Sequence, residues 1–168
     1  MEWLNVELPD TKTLRADFVC RLITGMLFHI EFHSYNDAEL VWRMLDHLAA
    51  IRKKYRIVPK QVVLYMGQEP MKMPSVIVQV DPRLEFETEM IDLGNLNAEE
   101  LLESEKTGDV LLAILNRHTD PKLTLVRILG RLRQLEPEPR LRACKLLFIL
   151  STNRNLGDTE LKEWKIWA

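Results

Sequence analysis

Two acidic residues, Asp17 and Glu31, have the side chains and the spacing that could do chemistry in this sequence. Each lies in a stretch where apolar and polar residues alternate, which is the pattern of a half-buried β-strand. Two carboxylates on neighbouring strands can hold a hard divalent cation such as Mg²⁺, which prefers oxygen ligands and completes its shell with water or phosphate. Whether they form such a site depends on how the two strands pair.

The two strands are predicted to form a β-hairpin around Gly25, which can take the left-handed conformation that a three-residue loop at 23–25 requires. In this register Asp17 lies directly opposite Glu31 on one face. The other face is apolar throughout and contains Ala16, Phe18, Cys20, Phe28, Ile30 and Phe32. A two-residue loop would set apolar residues opposite polar ones, so the pattern selects the three-residue loop.

Directly opposed carboxylates destabilise a sheet, so something must offset their repulsion. A shared proton, the neighbouring Arg15 and Arg21, or a divalent cation could each do so. From spacing alone, an exposed face whose acids are neutralised by arginines is the simplest interpretation. Glu7, on the strand expected at residues 3–8 beside that of Asp17, is either a third acid of the site or a solvated edge charge.

Length and composition limit the class of protein. With 168 residues, 46% hydrophobic and 29% charged, the chain is expected to be globular and cytoplasmic, and it has no apolar run long enough for a membrane span. The two cysteines, Cys20 and Cys144, form neither a disulfide framework nor a metal-binding pair. Because the net charge is −2, any contact with nucleic acid must come from a local basic patch.

Asn36 is predicted to cap an amphipathic helix that reaches Tyr55, with Glu39 completing a capping box. This helix is expected to cover the apolar face of the hairpin. The densest basic cluster follows at its end and is the candidate DNA contact, although cations also suit a helix C-terminus. The cluster contains Arg52, Lys53, Lys54, Arg56 and Lys60.

Further strands are predicted at 61–65, 75–80 and 85–93, and helices at 97–104, 108–116, 121–135 and 137–152. The expected fold class is α/β (α+β), a mixed sheet with a packed helix followed by a helical half. The expected domains are a core at 1–95 and a helical region at 96–168. Its last helix is apolar nearly all round and is expected to pack within the domain or against another copy. Trp164 and Trp167 follow and strengthen the case for a homo-oligomer, while a terminal helix that folds back on its own domain is the default expectation.

Six segments resemble, in order and spacing, the Rpn-type family of bacterial recombination-promoting nucleases and transposase-related proteins, a branch of the PD-(D/E)XK nuclease superfamily. They are E-W-L-N-V-E-L-P, R-A-D-F-V-C-R-L, H-I-E-F-H-S-Y-N-D, R-M-L-D-H-L, K-Q-V-V-L-Y-M-G-Q-E-P-M-K-M-P and G-D-V-L-L-A-I-L. The resemblance runs from about Glu2 to Leu150. It implies a restriction-endonuclease-like fold and Mg²⁺-dependent hydrolysis of DNA.

The resemblance assigns roles to three residues. Asp17 and Glu31 match the acids that hold Mg²⁺ or Mn²⁺, and His33 stands where the superfamily has a lysine that orients or deprotonates the attacking water. The sequence departs from the family pattern in two ways, and these leave nuclease activity open. His33 replaces the lysine, and the chain starts at what resembles the family's first core strand. The alternative is a catalytically inactive nuclease-fold protein that acts as an oligomeric binding or assembly module.

The sequence contains three other histidines, His29, His47 and His118. Their spacing is not that of metal ligands, and ordinary core or surface roles are expected for them.

Overall fold

The computed structural model describes residues 2–4, 7–8, 14–15, 17–154 and 156, with side chains from 17 to 154 and at 156. It is a mixed α/β structure, which confirms the predicted fold class. Two compact units are present, one of residues 1–65 and 71–91 and one of residues 66–70 and 92–168. The predicted boundary between residues 95 and 96 lies a few residues beyond the observed change of unit.

The strands in chain order are β1 (Glu2–Leu4), β2 (Glu7–Leu8), β3 (Leu14–Arg15), β4 (Phe18–Arg21), β5 (Leu27–His33), β6 (Lys60–Tyr65), β7 (Val76–Gln79), β8 (Leu84–Glu87) and β9 (Glu89–Asp92). Five of them form a mixed sheet in the order β1-β4-β5-β6-β9, in which β4 and β5 are antiparallel and β5 and β6 are parallel. The pairs β2-β3 and β7-β8 form separate two-stranded ladders.

The β4-β5 hairpin has the predicted register. Phe18 pairs with Ile30 and Cys20 pairs with Phe28. At the turn the Gly25 N–H donates to the Leu22 carbonyl over 2.9 Å, and Gly25 has a φ of 85°. The left-handed conformation that glycine adopts without strain thus closes a three-residue loop and sets the register of the whole hairpin.

The first predicted strand is divided in the structure. Its beginning, β1, pairs with β4 as expected, whereas Glu7 in β2 pairs with Arg15 in β3. The suggestion that Glu7 is a third acid concerns a side chain outside the described residues, as do the neutralising role suggested for Arg15 and the apolar position of Ala16.

The helix after the hairpin, α1 (Leu40–Tyr55), starts later than predicted. The prediction that Asn36 caps it is wrong, because the Asn36 side chain instead accepts from the Lys72 N–H over 2.7 Å. The Asp37 carboxylate accepts from the Glu39 N–H over 2.9 Å and closes the turn that leads into the helix. The helix ends at Arg56, whose φ of 60° is left-handed.

The face of the hairpin that α1 covers is not the predicted one. Val19 and Leu27 pack with Ile51 of α1, and Val63 of β6 packs with Met44, so α1 lies over the face that also carries Glu31. The opposite face remains partly open, with Phe18, Met26 and Phe32 exposed. The alternation of apolar and polar residues predicted the wrong buried face. In the sequence, a face of polar side chains that are buried against each other has the same pattern as a face exposed to solvent.

The second unit is helical, and its helices are α2 (Ala98–Glu103), α3 (Thr107–Leu112), α4 (Pro121–Leu132) and α5 (Pro137–Thr152). Asn97 caps α2 as predicted, accepting from the N–H groups of Glu99 and Glu100. In α5, Leu147 is fully buried, whereas Phe148 and Ile149 are exposed, so the helix is not buried on all sides within the chain. In the part of the chain that the structure describes, no helix has the length and hydropathy to cross a membrane.

Candidate functional site

The two predicted acids meet where β4 and β5 begin to pair. The Asp17 N–H points at Glu31 Oε2 over 3.5 Å, and the Phe32 N–H donates to Asp17 Oδ2 over 2.9 Å. Asp17 is exposed, whereas Glu31 keeps only 7% of its surface. The structure therefore brings the acids together, with Asp17 at the solvent edge and Glu31 beneath α1.

The third predicted residue, His33, is buried two positions beyond Glu31. Its Nε2 lies 3.9 Å from Asp37 Oδ2 and has no hydrogen-bond partner among the described residues, while Asp37 itself pairs with Arg43 over 2.9 Å. Burial and the nearby Arg43 charge lower the pKa of His33, and Asp37 opposes them only in part. Near neutral pH the imidazole therefore offers a lone pair more readily than a positive charge.

Two histidines that the sequence analysis set aside surround Glu31. His29 Nε2 lies 3.5 Å and His47 Nδ1 lies 3.7 Å from the same Glu31 oxygen, Oε2. The two imidazole rings meet edge to face with centroids 5.1 Å apart. Each residue offers a potential metal ligand atom, and the three atoms lie within 4.8 Å of one another.

The local structure explains why these three side chains meet. His29 and Glu31 are two residues apart on β5, so they point to the same face of the sheet. His47 lies three residues after Met44 and four before Ile51, which places it in the buried stripe of α1. The site combines residues of a strand with a residue of a helix. A search for ligand spacing along a single segment of the sequence therefore misses it.

The surroundings of Glu31 favour its ionised form. Burial raises the pKa of its carboxyl, but the two imidazoles and the Asp17 N–H outweigh burial and hold the pKa below its ordinary value. Burial lowers the pKa of His47, and the Glu31 charge opposes this only in part. Beneath α1, a carboxyl group that favours its charged form therefore lies next to an imidazole that favours its neutral form.

Gln61, the neighbour of His29 on β6, sets the proton position on that ring. Its Nε2 lies 2.9 Å from His29 Nδ1 and donates to the Met44 carbonyl over 2.9 Å. Because the amide nitrogen has two protons and no lone pair to offer, Nδ1 accepts, and a neutral His29 carries its proton on Nε2, facing Glu31. Gln61 Oε1 is buried and has no hydrogen-bond partner among the described residues.

The basic cluster lies at the other end of the hairpin. Its five residues, at positions 52–54, 56 and 60, are exposed at the end of α1 and the start of β6. Lys60 pairs in register with Phe28, three residues before Glu31 on β5, which is about 10 Å at the rise of a strand. Lys60 also contacts Glu89 over 3.2 Å. The cluster and the acids are thus separate features of one unit.

His118 is the remaining histidine, and its side chain contacts that of Asn95. Its Nε2 lies 3.0 Å from Asn95 Oδ1 in the helical unit.

In comparisons with known proteins, no family model, no curated protein and no solved structure matches this chain. The resemblance to the Rpn-type family therefore stays a prediction from six sequence segments.

Proposed function

We propose that this protein is a metal-dependent endonuclease of the Rpn type, which hydrolyses phosphodiester bonds in DNA and works in the bacterial cytoplasm. The observation that carries the proposal is the meeting of Asp17 and Glu31 from two strands, held by the Asp17 N–H and the Phe32 N–H. The free thiols of Cys20 and Cys144 agree with a reducing compartment.

Asp17 and Glu31 are the residues that would hold Mg²⁺ or Mn²⁺. The contacts of the Asp17 N–H with Glu31 Oε2 and of the Phe32 N–H with Asp17 Oδ2 link the two residues, and both offer carboxylate oxygens. The donor set therefore fits a hard ion that keeps several waters. Such an ion supplies charge stabilisation and an acidified water in phosphodiester hydrolysis.

The chain's own groups then have distinct tasks. Asp17 fixes the position of the Glu31 carboxylate through its N–H, and the Phe32 N–H fixes Asp17 in turn. In this proposal His33 is the general base that accepts a proton from water, and its pKa, lowered by burial and the Arg43 charge, favours the neutral imidazole that this role needs. The exposed basic cluster contacts phosphates of the same DNA away from the cleavage point, and it supplies affinity without sequence preference.

The test is plasmid nicking by the purified full chain with Mg²⁺ or Mn²⁺. We expect Asp17→Asn and Glu31→Gln to abolish nicking. Glu87→Gln, which makes the same change at an exposed glutamate on β8, should nick like the unmodified protein. Lys53→Glu with Lys54→Glu should weaken DNA binding and flatten its salt dependence. If the unmodified protein does not cut, or if cutting survives both acid substitutions, the proposal fails.

A second function, that of a non-catalytic assembly module, is favoured by one observation. The face of the hairpin opposite α1 exposes Phe18, Met26 and Phe32, and the Phe18 and Phe32 rings pack edge to face with centroids 5.6 Å apart. An exposed apolar patch of this kind is typical of a surface that binds another chain. This function predicts a homo-oligomer in sedimentation that Phe18→Ser dissociates, together with no nicking under any metal.

A further inference from the structure

We propose that His29, Glu31 and His47 form a Zn²⁺ centre on the side of β5 that α1 covers. The inference goes beyond the proposed function, because its ligand set leaves out Asp17 and because it stands even if the protein cuts no DNA. It rests on the contacts among three buried side chains.

The separations around Glu31 Oε2 suit a tetrahedral ion. Bonds of 2.0–2.1 Å to nitrogen and oxygen place tetrahedral ligand atoms about 3.4 Å apart. His29 Nε2 and His47 Nδ1 lie 3.5 and 3.7 Å from that oxygen, and all three ligand atoms lie within 4.8 Å of one another. Since the third separation is at most 4.8 Å, an inward movement of the rings by up to about 1.4 Å completes the geometry.

Apart from their 3.5 and 3.7 Å approach to Glu31 Oε2, the same two nitrogens have no polar contact at hydrogen-bond distance among the described residues, which is a second sign of a ligand. His29 and His47 are 0% and 1% exposed, and neither His29 Nε2 nor His47 Nδ1 has a hydrogen-bond partner among the described residues. Buried polar atoms in proteins are nearly always bonded. One cation satisfies both nitrogens and the buried Glu31 carboxylate together.

The donor chemistry selects the metal. Imidazole nitrogen suits Zn²⁺ and related transition metals, whereas Mg²⁺ prefers oxygen ligands. Two histidines and a glutamate also form the protein ligand set of a known class of catalytic zinc sites, in which water fills the fourth position. Zn²⁺ is therefore the ion that this set favours over the hard ions expected at Asp17.

Gln61 must turn when the ion binds. The metal binds the lone pair of His29 Nε2, so the single proton of the neutral ring moves from Nε2 to Nδ1, and the Nδ1–H then needs an acceptor. Gln61 Oε1, now without a partner among the described residues, becomes that acceptor when the amide rotates, and the Gln61 bond to the Met44 carbonyl is given up. Gln61 is thus a positioning residue, and Gln61→Leu should weaken zinc binding about 10- to 100-fold without removing a ligand.

The experiment uses the full chain, stripped with a chelator and then supplied with Zn²⁺ alone. We expect one equivalent to remain after desalting, measured by plasma mass spectrometry. X-ray absorption of the unmodified protein should show two imidazole nitrogens in the first shell at about 2.0–2.1 Å. This spectrum needs no variant and is independent of folding defects. Less than a stoichiometric amount of zinc, or a shell made of oxygen alone, would overturn the proposal.

Variants then separate this centre from the nuclease site. His47→Gln and Glu31→Gln should lose stoichiometric zinc while circular dichroism shows a folded chain. Asp17→Asn and His118→Gln are the matched controls and should retain it, because Asp17 contacts Glu31 through its backbone N–H and His118 lies in the helical unit. Equal zinc loss in His118→Gln would assign the metal elsewhere. Zinc retained by an Asp17→Asn variant that no longer nicks DNA would show the two functions to be separable.

Discussion

Replacing Leu27 with alanine tests which face of the hairpin α1 covers. Leu27 is 0% exposed and packs with Val19 and with Ile51 of α1, whereas its neighbour Met26 is 42% exposed on the opposite face. Truncating a fully buried leucine costs about 2–5 kcal/mol because apolar contact is lost and a cavity remains. Truncating a half-exposed methionine costs about 1 kcal/mol or less.

Urea unfolding followed by circular dichroism measures the difference. With a slope near 2 kcal/mol per molar, a loss of about 3 kcal/mol in Leu27→Ala lowers the urea midpoint by about 1.5 M. Met26→Ala should move it by about 0.5 M or less at the same slope. If the two variants were equally destabilised, or if Met26→Ala were the worse, then α1 would lie over the other face. Glu31 would in that case face solvent and could not belong to a buried site.

Three further substitutions test separate parts of the structure. Gly25→Ala should cost about 1 kcal/mol, because φ is 85° and nothing lies within 4 Å of an added Cβ, so the loss measured by thermal unfolding reflects backbone strain alone. Arg117→Gln removes the ion pair with the partly buried Asp92 carboxylate and should cost about 1–3 kcal/mol in urea, and no measurable loss would contradict the pairing. Arg127→Gln removes only an exposed pair with Glu99 and should leave the melting temperature unchanged at moderate salt.

The register of the hairpin was accessible from sequence because it depends on local chemistry. A glycine at the one position that needs a positive φ, together with strict alternation on both sides, leaves a single pairing that matches apolar with apolar residues.

The start of α1 was mispredicted because Asn36 takes part in a contact between residues that are distant in sequence. The helix begins after Glu39, and the Asn36 side chain instead accepts from the N–H of Lys72, 36 residues away, a contact that the local sequence does not reveal.

The burial of Glu31, His29 and His47 could not be predicted from the sequence in this way. Alternation separates apolar from polar residues, and it assigns a strand of His29, Glu31 and His33 to solvent. Their burial depends on α1 presenting a histidine instead of an apolar residue at position 47, which is a tertiary match between a strand and a helix. One signal was present, since His47 falls on the apolar stripe of its helix between Met44 and Ile51.

The most direct test of the central claim is anomalous diffraction from crystals of the full chain soaked in a zinc salt. The site described here predicts a peak beneath α1 within about 2.0–2.2 Å of Glu31 Oε2, His29 Nε2 and His47 Nδ1, with the Gln61 amide rotated. A map with no peak there, or with density only between the carboxylates of Asp17 and Glu31, would contradict it.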